Sequence, residues 1–146
     1  MQMQTHISRV VLVLVMVLLF SGATITLAQK KEDAPKKVAV TGTIEFKGDA
    51  KFEAETVANV TIRDVSIADA PAPIIGQQLI KDLKKFPISF EVEYDPAKID
   101  QRLMYSVGVR IETKGRLDYI NDTAILIISR NNPISDVKVP VIQVKR

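Results

Sequence analysis

The chain has 146 residues, enough for one domain, with 47% apolar and 25% charged residues and a formal net charge of +3. It has no cysteine and a single histidine, His6, which excludes disulfide scaffolds, thiolate metal sites and thiol nucleophiles. If the apolar block after His6 is cleaved off, imidazole is lost too, and with it the usual basis of transition-metal ligation and of acid/base catalysis near neutral pH.

That block opens the chain. Arg9 precedes an unbroken apolar run over residues 10–20, and residues 21–28 are small and polar, ending Thr26-Leu27-Ala28. The layout predicts a secretory signal peptide over residues 1–28, with cleavage between Ala28 and Gln29. The strictly apolar run is about half a bilayer core in length, so membrane contact is expected only through a leader that stays uncleaved. The protein is expected to be exported, to the periplasm or beyond the cell. Residues 29–37 are charged, contain Pro35 and show no apolar period; they read as a flexible tether.

From Val38 the pattern changes to a period of two. Val38, Val40, Ile44 and Phe46 alternate with polar neighbours, Gly42 falls in the inward series, and Gly48-Asp49 ends the run. A second strand is predicted over residues 57–65, with Ala58, Val60 and Ile62 on one side and Asn59, Thr61 and Arg63 on the other. Pro71 and Pro73 make residues 68–73 a loop, and residues 74–80 resume as a short strand.

The clearest alternation is residues 86–94, where Phe86, Ile88, Phe90, Val92 and Tyr94 share one face. Asp95-Pro96 starts a turn, with proline at the first position of a single helical turn. Tyr105, Val107, Val109 and Ile111 repeat the alternation, and Lys114-Gly115-Arg116 is a hairpin turn in which glycine supplies positive φ. Residues 117–120, 124–129 and 137–144 complete the set. Pro140 places the last strand at a sheet edge. The fold class is all-β, an antiparallel β-sandwich of about seven to eight strands over residues 38–146.

Sites of chemistry are sparse. Asp64, Asp69, Asp95, Asp100 and Asp122 recur at strand ends without the spacing of a calcium loop; turn formation explains them. Ser135-x-x-Lys138 has the spacing of a serine nucleophile motif, but in a strand its two side chains point to opposite faces. Asn59 and Asn121 open N-x-T sequons. No catalytic residue, metal site or cofactor is predicted. The basic balance lacks the interleaved aromatics of a nucleic-acid surface, so no nucleic acid is expected as a partner. Lys114 and Arg116 at the hairpin tip are candidate contacts for an anionic partner. Tyr119 joins them as the expected exposed aromatic.

Several blocks in order resemble the YbaY/YscW family of small bacterial envelope lipoproteins. They are residues 40–44 (VTGTI), 60–72 (VTIRDVSIADAPA), 87–100 (PISFEVEYDPAKID), 105–111 (YSVGVRI) and 121–124 (NDTA). The resemblance covers roughly residues 38–146. It implies a β-sandwich of the envelope, non-enzymatic, that binds another envelope protein or assists assembly in the manner of the pilotins of type III secretion. Family members commonly carry a lipid-accepting Cys after the signal, where this chain has Ala28-Gln29. The alternative is a sandwich that binds carbohydrate or another small ligand; the absence of Trp and a total of three Tyr speak against it.

Overall fold

The computed structural model describes residues 37–145; the predicted leader, its cleavage point and the tether before Lys37 lie outside them. Among the described residues nine strands form: β1 (Val38–Glu45), β2 (Thr56–Asp64), β3 (Ile74–Ile80), β4 (Ile88–Tyr94), β5 (Tyr105–Thr113), β6 (Arg116–Ile120), β7 (Ile125–Ile127), β8 (Val137–Pro140) and β9 (Ile142–Gln143). They make two sheets. One has the order β4-β1-β8, the other β3-β2-β5-β6-β9, with β7 paired to β5 beside β6.

Alternation produces the core. In β4 every second residue, Ile88, Phe90, Val92 and Tyr94, is buried and those between are exposed. Pairing brings like with like: Val40 faces Val92 and Ile44 faces Ile88 in one sheet, and Ala58 faces Ile111, Val60 faces Val109 and Ile62 faces Val107 in the other. These side chains form a single buried cluster between the sheets. Gly42, opposite Phe90, has no side chain because there is no room: a Cβ there would meet the Val137 carbonyl and come within 2.8 Å of Phe90 Cζ.

The predicted strands hold with three adjustments. β4 begins at Ile88, since Pro87 has no N–H for the ladder. The pairing of β1 with β8 is parallel, whereas the other strand pairs are antiparallel. The predicted strand at 137–144 is two strands: β8 is an edge of the three-stranded sheet and β9 an edge of the other. Val141 stands at the crossing, buried, its N–H bonded to the Glu45 carbonyl at 2.9 Å, and Val144 N–H bonds Asp118 at 2.9 Å. The segment therefore stitches the two sheets along one side. On the opposite side β3 meets β4: Gly76 lets the backbone of Glu93 approach, and Gln78 Oε1 accepts from Glu91 N–H at 2.8 Å.

The turns follow local chemistry. Asp95 caps a 3₁₀ turn over Pro96–Lys98 by accepting from Ala97 N–H. Lys114 and Gly115 both have positive φ, 51° and 79°, between the paired residues Thr113 and Arg116. That is the two-residue turn whose twist matches antiparallel strands.

Candidate functional site

The β8–β9 corner shapes an apolar cleft on the surface. Pro140 cannot donate to a neighbouring strand, Val141 turns inward, and Ile142 is thereby thrown outward, 47% exposed. With Phe46 and Pro140 it lines a cleft of about 530 Å³ whose rim carries Glu45, Lys47, Gln143 and Lys145. Glu45 is engaged by Lys138 Nζ at 3.8 Å. Phe46 also belongs to a cluster of four rings, in which Phe46, Phe52 and Phe86 pack around Tyr119 with centroid separations of 5.0–6.2 Å. A second cleft, of about 540 Å³, lies on the other side of Phe46 and includes Lys85, Phe86 and Pro87.

Tyr119 belongs to that ring cluster, which corrects the expectation that it is exposed: it is 6% accessible. The cause is a bulge. Counted straight back from the hairpin turn, Tyr119 would lie opposite the exposed Arg110; a register shift between Ile111 and Glu112 places it opposite the buried Ile111 instead. Burial, followed by the charge of Asp118, raises its phenol above the ordinary tyrosine value. Arg116 donates from Nε to Asp118 at 3.0 Å and lies 3.6 Å from Glu53. Lys114 stays exposed at the tip. Of the three predicted contact residues, Tyr119 is thus turned into the core, while Lys114 and Arg116 stay exposed at the hairpin.

The strand-end aspartates are occupied by turns. Asp64 accepts from the N–H and hydroxyl of Ser66, whose Oγ in turn accepts from Met104 N–H. Asp100 accepts from the Arg102 N–H and guanidinium, and this holds its carboxyl at about 2. Asp122 accepts from Thr123 Oγ1, and Asp69 occupies a left-handed turn position at φ 59°. Among the described residues no three His, Cys, Asp or Glu side chains group as metal ligands would, and no helix is long and apolar enough to cross a membrane. Lys138 lies on β8 and Ser135 ahead of it, both exposed. Of the sequon residues, Asn59 accepts from Gln77 Nε2. Asn121 does more: its side chain completes a sheet ladder, accepting from Val109 N–H at 2.6 Å and donating to the Val107 carbonyl at 3.2 Å.

Three comparisons bear on what this scaffold is. The family described as type III secretion system lipoprotein chaperone (YscW) matches residues 35–139. The uncharacterized lipoprotein YbaY of Escherichia coli strain K12 is 24% identical over 123 residues, 84% of this chain and 65% of that protein. The chain thus spans a little under two thirds of that relative's length. The solved structure of an alternative pilotin from the type II secretion system of Vibrio cholerae superposes with a TM-score of 0.70 at 32% identity, over 76% of this chain and all of that one. With a sandwich fold, a stitched edge and a family match over most of its length, the chain belongs to the YscW family of type III secretion lipoprotein chaperones.

Proposed function

We infer that the protein is exported and works in the cell envelope as a non-enzymatic accessory, binding another envelope protein in the manner of a pilotin or chaperone. The observation that carries this reading is the apolar cleft at the β8–β9 corner, where the exposed Ile142 lines the surface together with Phe46 and Pro140. Large apolar side chains held at a rimmed surface cleft are what a protein partner covers. The family match and the likeness to a type II secretion pilotin support a partner from a secretion assembly. The burial of all three tyrosines, Tyr94, Tyr105 and Tyr119, removes the aromatic platform that a carbohydrate site would use.

Ile142→Glu tests the cleft. A photo-cross-linker introduced at Ile142 should trap a defined envelope protein, and one at the exposed Glu91 should not; Ile142→Glu should lower co-purification of that protein at least tenfold with an unchanged melting temperature. Equal trapping from both positions would refute the cleft as the contact. Export is tested separately. Intact mass of protein recovered from the periplasm should correspond to a chain starting at Gln29, and a retained Met1–Ala28 segment in membranes would overturn the cleavage.

A further inference from the structure

We propose that the outer face of the six-stranded sheet carries a carboxylate-binding site built on Arg63. The site is a cleft of about 280 Å³ whose lining includes Thr61, Arg63, Ser106, Gly108, Arg110 and Asn121; it shares no lining residue with the cleft at the β8–β9 corner.

The cleft exists because β5 is shared. β6 pairs with its end, from Arg110 to Thr113, and β7 with its beginning, from Tyr105 to Val107. Between them the chain leaves the sheet at Asn121, whose carboxamide stands in for the missing strand at Val107 and Val109. Residues 121–124 then arch outward and become a wall. Sequence blocks that resemble the family, distant along the chain, meet here: apart from Ile120, each lining residue lies within residues 60–72, 105–111 or 121–124.

Arg63 is aimed by its surroundings. A bulge between Ile62 and Arg63 resets the pairing of β2 with β3, a feature that re-aims side chains. Arg63 Nε donates to Thr61 Oγ1 at 3.1 Å, and that hydroxyl donates to the Gly108 carbonyl at 3.3 Å. Gly108 keeps the floor low, since a Cβ there would press to 3.0 Å from Thr61 Oγ1. One of the five guanidinium N–H groups is thus spent on fixing the plane, and the four on Nη1 and Nη2 remain. Arg102, Arg110 and Arg116 each have a carboxylate at 3.6 Å or less, and the exposed Arg130 bonds the Arg102 carbonyl. Among the described residues Arg63 is the half-buried arginine with no acid within ion-pair distance.

A held guanidinium with a free fork recognises a planar carboxylate through two parallel bonds. The balance of charge favours a monoanion. Arg110 is neutralised by Glu112 at 3.0 Å, and Asp122 stands on the wall where it would repel a phosphate dianion. The carboxylate could be a free small acid or an Asp or Glu side chain of a peptide, and the experiment separates the two.

Backbone and Arg Nε–H signals of the ¹⁵N-labelled chain would be followed while sodium acetate replaces sodium chloride at constant ionic strength. Saturable shifts are expected at Arg63 Nε, Gly108 and Val109, weakened at least tenfold by Arg63→Gln and unchanged by Arg130→Gln, which lies outside the cleft lining. Arg63→Lys keeps the charge and the apolar stem without the fork, and should fall between. A capped Ala-Asp-Ala peptide binding at least tenfold more tightly than acetate identifies a protein ligand, and equal affinity a free acid. Shifts that never saturate, that survive Arg63→Gln, or that are stronger with phosphate than with acetate would overturn the assignment.

Discussion

Gly42→Ala should destabilise the domain by about 3 kcal/mol or more, at the upper end of the cost of overpacking a core. Intrinsic preference points the other way, since glycine is among the poorest strand formers, so the sign of the effect is diagnostic. The added methyl would meet the Val137 carbonyl, part of the parallel β1–β8 ladder, as well as the Phe90 ring. A ring can swing aside; a paired backbone cannot do so without opening the sheet. Urea denaturation read by circular dichroism would measure the change. A loss below about 0.5 kcal/mol, the level of a neutral surface substitution, would show that the two strands are more loosely spaced than described.

Phe90→Ala should cost about 3–5 kcal/mol, the range for removing a buried phenylalanine. Phe90 is 4% exposed at the middle of β4 and fills the space above Gly42. Its neighbour Glu91 points to solvent, and Glu91→Ala should cost less than about 0.5 kcal/mol. The pair tests the assignment of faces with two adjacent residues in one strand. Equal losses in denaturant midpoint would mean that β4 is turned over.

Where apolar residues recur at every second position, the inward face was readable from the sequence. β2, β4 and β5 each put Val or Ile at alternate positions between polar ones, so the inward sets Ala58, Val60, Ile62 and Phe90, Val92, Tyr94 could be listed in advance. The crossing at Val141 could not be. Val137, Val139 and Val141 keep the same parity through the point where the chain changes sheets, and Pro140 marks an edge without saying that two edges meet there. Tyr119 was unreadable for a different reason. Leu117, Tyr119 and Ile120 are apolar on both sides of β6, so the bulge, which no composition signals, decides which of them turns inward. The Arg63 cleft depends on where β6 stops and β7 begins along β5, a property of pairing rather than of any one segment.

Because β1 lies between β4 and β8, its two neighbours arrive at very different times. β4 is made about fifty residues after β1, β8 about a hundred. A chain emerging N-terminus first leaves β1 with one edge unpaired until β8 has followed. Pairings this distant in sequence form slowly, and an open strand edge meanwhile attracts other chains. The step that closes the three-stranded sheet is therefore the arrival of β8. A truncation before Val137 would leave that edge of β1 permanently open.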